Sequence, residues 1–284
     1  MSAFDPRVTL ARPDLASETL RGQITAAHYA AGQTMRVITA TSPLFSEPRA
    51  DSALQSEALF GESLTILEQS PEGWSWGQSD LDGYVGYLPS DHLTAALLPP
   101  THRVTSLRSF VYAGPSIKGV PMTALSFGAR VHVTAQQDQF SRLADGGFVI
   151  STHLTPLDSQ TDDPAGWAEL FLHTPYLWGG RSSLGLDCSA LVQLAWQACG
   201  RRCPRDSDQQ ERALGERLHD HTTLERNDLV FWKGHVGIML DSDTLLHASG
   251  HHMTVVREPL EEARKRILAK TGQDITARKR FQPQ

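Results

Sequence analysis

The stretch TPYLWGGRSSLGLDCSALVQLAWQACG, residues 174–200, has the most informative pattern in the carboxyl-terminal part of this chain. Glycines interrupt its first half, and apolar residues then recur at three- and four-residue spacing after Asp187-Cys188-Ser189. That spacing is typical of one buried face of a helix, and Gly200 is a plausible helix stop. The pattern therefore predicts that Cys188 lies at the amino-terminal end of a buried helix.

A cysteine in that position is a candidate nucleophile. Unpaired backbone N–H groups and the helix dipole favour an anion there, so we expect a lowered pKa for the Cys188 thiol. Cys199 lies on the packing face of the same helix and Cys203 precedes a proline, which indicates structural roles for both. Three cysteines within one short stretch also exclude a disulfide-stapled secreted scaffold.

A nucleophilic thiol needs a base and a group that orients the base. The stretch RNDLVFWKGHVGIMLDSDTLLHASG, residues 226–250, reads as three strands joined by tight turns. His235 begins the second strand and His247 lies near the end of the third, so an antiparallel hairpin brings them close together. The result is a Cys188–His235–His247 set of the Cys–His–polar type. A zinc site is the alternative, but no paired cysteines or His-Glu-x-x-His helix support it, and we expect no metal.

The region before this part is predicted to be β-structure, because short β-branched and aromatic runs alternate with turn signals. Its first half contains GESLTIL, GWSWGQ and GYVGYLP. Its second half resembles the first at an offset of roughly 60–67 residues, which indicates a tandem duplication. The second copy keeps fewer of these motifs.

Composition limits the classes of function. The 284 residues carry a net charge of −6, so the basic excess of a nucleic-acid-binding protein is absent. No apolar run reaches the length of a transmembrane helix or of a signal peptide. We therefore expect a cytoplasmic protein with reduced thiols and with neither nucleic acid nor membrane as a partner.

The blocks PYLWGG, GLDCSALV, NDLVFW, HVGIML and LLHASG closely resemble the NlpC-type family of bacterial cysteine peptidases, over about residues 165–265. The β-motifs are similar to bacterial SH3-like domains. The resemblance implies an α+β papain-like catalytic domain at 165–284, preceded by two small all-β SH3-like barrels at 34–97 and 101–156. Residues 1–33 are then an amino-terminal arm.

The same resemblance implies an activity. This family cleaves peptidoglycan stem peptides between γ-D-glutamyl and a diamino acid. Cys188 would be the nucleophile, His235 the base and His247 the residue that orients it. The Cys188 backbone N–H and the Tyr176 hydroxyl would hold the oxyanion. No cofactor is implied.

The layout with two SH3-like modules is similar to the subgroup that trims murein peptides with a free N-terminal L-alanine. It implies that an acidic residue of the first barrel pairs with the substrate ammonium group; Glu62 matches best, with help from Tyr84 or Tyr87. Further substrate-binding residues are implied around the nucleophile: Trp178, Asp187, Ser189, Asp206 and Ser207.

Simpler interpretations remain open for several of these residues. Glu62 could be a solvent-facing strand residue, Asp187 a helix N-cap, and Trp178 and Tyr176 core aromatics. Four functions also remain open. The first is a cytoplasmic recycling endopeptidase for free murein peptides such as L-Ala-γ-D-Glu-diaminopimelate. The others are an exported wall hydrolase, a non-catalytic wall-peptide binder, and an acyltransferase or amidase on the same fold.

Overall fold

The computed structural model describes residues 4–281, which divide into two compact units between Leu157 and Asp158. Strands dominate both units, and the α-helices of the described residues all belong to the second. Within residues 4–281 no helix is long and apolar enough to cross a bilayer.

The first half of the first unit is a docked arm followed by a seven-stranded antiparallel sheet. The arm contains a parallel pair of strands, β1 (Leu15–Ser17) and β2 (His28–Ala30). The sheet consists of β3 (Gln33–Val37), β4 (Thr41–Phe45), β5 (Leu54–Leu59), β6 (Ser63–Gln69), β7 (Trp74–Ser79), β8 (Val85–Pro89) and β9 (Leu93–Thr94). The sheet order is β5-β4-β8-β7-β6-β3-β9. Alternation along β6 buries Leu64 and Ile66 in a core with Leu44 and Leu88, as expected for a half-buried strand. A hydrogen bond from the Val85 N–H to the Arg7 carbonyl holds the arm against β8.

The second half of this unit contains eight further strands: β10 (His102–Val104), β11 (Arg108–Tyr112), β12 (Pro121–Ser126), β13 (Arg130–Val131), β14 (Val133–Gln137), β15 (Phe140–Leu143), β16 (Phe148–Ile150) and β17 (Leu154–Pro156). They form a three-stranded sheet, β13-β10-β17, and a five-stranded sheet, β12-β11-β16-β15-β14. Leu125, Phe127 and Val149 are fully buried there.

One polar contact recurs in both halves. The Ser42 hydroxyl lies 3.0 Å from His92 Nδ1, and the Ser109 hydroxyl lies 2.8 Å from His153 Nδ1. In each half the serine lies in a strand and the histidine ends a 3₁₀ turn that follows the last strand of a meander. This recurrence supports the tandem-duplication hypothesis, since the sequence similarity alone is weak in the second copy.

The two halves of this unit are joined by a close backbone approach and a bidentate ion pair. The Arg130 N–H donates to the Phe60 carbonyl at 2.8 Å. Gly61 has φ +79°, and a Cβ there would lie 1.9 Å from the Arg130 carbonyl oxygen, so only glycine fits. The buried Arg36 guanidinium donates to both Asp145 carboxylate oxygens at 3.0 and 2.7 Å.

The second unit is a six-stranded sheet with helices packed against it. Its elements are α1 (Pro164–Glu169), β18 (Arg181–Ser182), β19 (Gly185–Leu186), α2 (Cys188–Ala198), α3 (Ser207–Ala213), β20 (Glu216–Arg217), β21 (Leu229–Trp232), β22 (His235–Met239), β23 (Thr244–Ser249), β24 (Thr254–Pro259), α4 (Leu260–Thr271) and β25 (Ala277–Arg280). The sheet order is β20-β25-β21-β22-β23-β24. Helix α2 packs along β22 and β23. The backbone amide of Val236, the second residue of β22, faces the sulfur of Cys188 at the start of α2.

Strand β21 begins after a tight turn at Asn227. This residue has φ +76° in the left-handed region, which asparagine tolerates better than most residues. Its side-chain oxygen also accepts a hydrogen bond from the Ala165 N–H at 2.8 Å, at the start of α1.

Candidate active site

Cys188 is the first residue of α2, as predicted, and only 6% of it is exposed. The backbone amides of Val236 and Ser189 face its sulfur. Burial raises the pKa of the Cys188 thiol to about 12, and the nearby Asp187 carboxylate adds to the rise. The expected lowered thiol pKa is therefore wrong, because the loss of hydration outweighs the helix amino terminus. The thiol is protonated at rest and needs a base to become a nucleophile.

The two predicted histidines lie in contact. His235 Nε2 is 2.7 Å from His247 Nδ1, so the predicted closeness of the pair is confirmed. The register of β22 against β23 places Gly237 beside His247, and a Cβ at Gly237 would lie 3.1 Å from the His247 Cβ. His235 is partly exposed, whereas His247 is 1% exposed. Because His235 uses Nε2 for this contact, Nδ1 is its remaining ring nitrogen.

Two residues that the sequence analysis missed extend this series. His247 Nε2 lies 2.7 Å from Glu258 Oε1, and Arg266 donates to both Glu258 oxygens at 2.7 and 2.5 Å. Glu258 is on β24 and Arg266 is on α4. The available signal was strand alternation: Val256 pairs with His247, so Glu258, two residues on, shares its face.

The protonation states of these groups follow from burial and from their partners. Burial lowers the pKa of His235 to about 3, and it also lowers the pKa of His247 despite the opposing Glu258 carboxylate. Although burial opposes it, hydrogen bonds from His247 and Arg266 hold the pKa of Glu258 well below its usual range. Near neutral pH the site therefore holds two neutral imidazoles and one carboxylate.

Asp187 is the N-cap of α2. Its carboxylate accepts from the backbone N–H groups of Ala190 and Gly179, from the Ser189 hydroxyl, and twice from Arg205. A carboxylate has about four lone-pair directions, so five donors occupy it fully. Asp187 therefore has the capping role that the sequence left open, and its contact with substrate stays a prediction. The Ser189 hydroxyl is likewise used, since it donates to Asp187 and accepts from Arg205.

Asp206 and Ser207 lie at the start of α3. Asp206 is its N-cap in a capping box with Gln209, and Ser207 is its first residue and is buried. The arrangement gives Asp206 a local structural role. Substrate binding by either residue stays a prediction.

Burial raises the pKa of the Tyr176 phenol, and the neighbouring Cys188 and Asp187 side chains add to the rise. The phenol is therefore protonated and can donate a hydrogen bond. Its ring packs beside Gly250. Trp178 is 69% exposed, so the alternative that it fills the core is wrong.

The residues predicted to bind the substrate ammonium group lie in the first unit. Glu62 is only 4% exposed, and its carboxylate accepts from the Leu59 N–H at 3.0 Å within its own turn. It is therefore not a solvent-facing strand residue. Tyr84 is a core residue, and the Tyr87 hydroxyl accepts from Arg12 at 2.8 Å. Their binding of substrate stays a prediction.

A cavity of about 270 Å³ lies beside the two histidines. Its lining includes the basic side chains of Lys233, Arg266 and Lys270, together with His251 and Trp232, and no carboxylate. The cavity therefore favours an anionic or polar group next to His235. Within residues 4–281, no group of three or more His, Cys, Asp or Glu residues is placed to hold a metal ion.

Two family models match the chain. Residues 173–270 match the NlpC/P60 family, and residues 44–93 match the bacterial dipeptidyl-peptidase SH3 domain. The first match covers Tyr176, Cys188 and both histidines. The second covers Glu62 and Tyr87.

Relatives with named activities match over most of the chain. A γ-D-glutamyl-L-lysine dipeptidyl-peptidase of Bacillus cereus is 26% identical over 242 residues, which is 73% of this chain and 71% of the relative. Dipeptidyl-peptidase 6 of Lysinibacillus sphaericus is 28% identical over 239 residues, 75% of this chain and 86% of the relative. A crystal structure of an NlpC/P60 family protein from Bacillus cereus superposes with a TM-score of 0.73 at 19% identity, over 88% of this chain and all of that one. The predicted NlpC-type papain-like fold with an SH3 domain is thus confirmed.

Proposed function

We propose that this chain, which carries an NlpC/P60 domain together with a bacterial SH3 domain, hydrolyses the bond between γ-D-glutamyl and a diamino acid in free murein peptides. One observation carries the proposal. A continuous hydrogen-bonded series runs from Glu258 through His247 to His235, and the backbone amide of Val236, the next residue on the same strand, faces the buried Cys188 sulfur. Cysteine acyl transfer needs a base beside the thiol and a group that orients this base.

The first half of the reaction follows from the protonation states. The Cys188 proton passes to His235 Nδ1 as the sulfur bonds to the γ-carbonyl carbon. The oxyanion that forms accepts from the Cys188 N–H and from the protonated Tyr176 hydroxyl. When the tetrahedral species collapses, the C–N bond breaks and His235 returns the proton to the leaving amine.

The second half releases the acyl group. Water enters where the amine has left, and His235 Nδ1 takes one of its protons as its oxygen bonds to the thioester carbon. The C–S bond then breaks, and the sulfur regains a proton from His235. The products are a dipeptide with a free γ-carboxylate and a diamino acid.

We place the leaving diamino acid in the cavity beside the histidines. His235 lines that cavity and would protonate the departing nitrogen there. Lys233 and Lys270 add positive charge without a carboxylate in the lining, which suits a diamino acid that carries a carboxylate at its far end. Diaminopimelate has that carboxylate, whereas lysine lacks it.

A free N-terminal L-alanine belongs to the same proposal. The named relatives are dipeptidyl-peptidases, and such an enzyme releases two residues from a free amino terminus. Peptides of that kind arise during cell-wall recycling, and we propose the cytoplasm as the compartment. Cell fractionation followed by immunodetection tests the compartment.

A panel of four tripeptides tests the substrate. L-Ala-γ-D-Glu linked to diaminopimelate or to lysine is offered with a free or an acetylated amino terminus. We expect release of L-Ala-D-Glu and the diamino acid, with at least about a tenfold higher kcat/KM for the free amine, because one desolvated charge contact is worth about 1.5–3 kcal/mol. Diaminopimelate should exceed lysine by a smaller factor.

Other outcomes are equally informative. Equal rates on acetylated peptides, with efficient digestion of intact sacculi, would favour an exported wall hydrolase. Binding of these peptides without turnover would identify a non-catalytic module. If added amines appear in the product in place of water, the enzyme is an acyltransferase.

A further inference from the structure

We propose that Glu258, held by Arg266, is a positioning residue that fixes the direction of the proton at His235. The inference rests on the proposed function, because it concerns the same site. Glu258 lies two hydrogen bonds away from His235 and has no described contact with Cys188. It acts through His247 and sets which ring nitrogen of each histidine carries hydrogen.

The first step concerns His247. An ionised carboxylate only accepts hydrogen bonds, so the nitrogen 2.7 Å from Glu258 Oε1 must be a donor. That nitrogen is His247 Nε2. Because burial keeps this imidazole neutral, its other nitrogen, Nδ1, carries a lone pair and accepts.

The second step concerns His235, the proposed base. His247 Nδ1 accepts, so His235 Nε2, 2.7 Å away, must donate. A neutral His235 with hydrogen on Nε2 has its lone pair on Nδ1. The lone pair is then on the nitrogen that the thiol requires, and His235 can act as a base without rearrangement.

Without the carboxylate, the opposite polarity would satisfy the pair equally well. His247 would donate from Nδ1 to His235 Nε2, and His235 would carry hydrogen on Nδ1. A base in that tautomer has no lone pair for the Cys188 proton. Among the residues that the structure describes, the acceptor at His247 Nε2 selects the productive tautomer.

Arg266 makes that acceptor permanent. Its two donors reach both Glu258 oxygens, which keeps the carboxylate ionised and prevents rotation. The other charged or titratable groups that face Glu258 are His247 on β23 and His252, whose Nε2 is 3.7 Å from Oε2 and whose side chain is 38% exposed. Arg266, His247 and His252 are all donors or potential donors, so none of them competes with Glu258 as an acceptor.

Glu258→Gln tests the role. Glutamine has one acceptor oxygen for three inward donors, so its amide group must direct an N–H at His247 or at Arg266. We expect kcat/KM at pH 7 to fall by about 10²-fold. Loss of a group that orients another residue indirectly typically costs about 10–100-fold in activity, and loss of a group hydrogen-bonded to the catalytic base costs about 10⁴-fold. The low pKa values of both histidines place the acidic limb of the wild-type profile of kcat/KM against pH below pH 6.5. We expect this limb to shift in the Glu258→Gln variant.

Asp274→Asn is the matched control. Arg264 lies on α4, like Arg266, and donates to both oxygens of Asp274 at 2.7 and 2.6 Å, about as short as the Arg266–Glu258 pair. The Arg264–Asp274 pair does not contact the histidines. We expect its kcat/KM and pH profile to stay within about twofold of wild type, since exposed pairs contribute little. Arg266→Gln keeps the carboxylate and should lose less activity than Glu258→Gln.

Nitrogen-15 NMR of the histidine rings gives a readout independent of turnover. Wild type should show hydrogen on Nε2 of both His235 and His247, and Glu258→Gln should show a population with hydrogen on Nδ1 of His235. A wild-type Nδ1–H at His235 would overturn the inference. So would a Glu258→Gln protein that loses stability like Asp274→Asn but keeps wild-type tautomers and pH profile. Correct wild-type tautomers without hydrolysis of any tripeptide would instead reject the proposed function and leave the positioning role standing.

Discussion

Replacing Cys188 with serine is expected to lower kcat for stem-peptide hydrolysis by on the order of 10⁴–10⁶-fold, the range seen when a catalytic nucleophile is removed. The reason is that the base at His235 is weak and the serine hydroxyl is a weaker acid than the cysteine thiol. His235, whose pKa burial lowers to about 3, is a weak base, and a hydroxyl is far harder to deprotonate than the thiol it replaces. Steady-state assay of the released diamino acid measures the loss.

The two other cysteines are the controls for that variant. Cys199 and Cys203 are each 2% exposed; Cys199 accepts a hydrogen bond from Thr161 at 3.4 Å, and Cys203 lies in the turn before α3. Cys199→Ser and Cys203→Ser should change thermal stability more than kcat. Activity retained in Cys188→Ser, or lost only in Cys199→Ser, would reject the assigned nucleophile.

Replacing Arg205 with methionine is expected to lower the free energy of unfolding of the second unit by about 3–5 kcal/mol, the usual cost of breaking a buried ion pair by removing one partner. The Arg205 side chain is 1% exposed and donates to both Asp187 oxygens, to the Ser189 hydroxyl and to the Gly180 carbonyl. Its loss leaves the N-cap carboxylate of the nucleophile helix buried beside unmet acceptors. Urea unfolding followed by tryptophan fluorescence measures the change.

Arg212→Met is the matched control for this prediction. Arg212 pairs with Asp208 at 2.9 Å on the surface of α3, with both side chains well exposed. Its removal should cost less than about 0.5 kcal/mol. If Arg205→Met lowers stability by a similarly small amount, the buried network around Asp187 is not what holds the start of α2.

The sequence predicts the parts of the site that local patterns determine. Helical spacing after Asp187 places Cys188 at a helix start, and two strands separated by a tight turn place His235 near His247. Both inferences need only short-range periodicity, and the structure confirms them.

What the sequence analysis missed depends on burial and on distant pairing. A helix amino terminus lowers a thiol pKa, but how much water the thiol loses depends on packing, and this effect wins at Cys188. Arg205 reaches Asp187 from the segment before α3, and Arg266 reaches Glu258 from α4. Such long side-chain contacts carry no periodic signal, so only the folded chain reveals them.

Covalent labelling with a substrate analogue identifies the nucleophile. An L-Ala-γ-D-Glu analogue that carries a chloromethyl ketone in place of the scissile amide is incubated with the enzyme, and peptide mapping by mass spectrometry locates the adduct. We expect one adduct per chain, on Cys188, formed in step with loss of activity and much slower with the α-linked L-Glu analogue. An adduct on Cys199 or Cys203, or complete inactivation with Cys188 unmodified, would contradict the account.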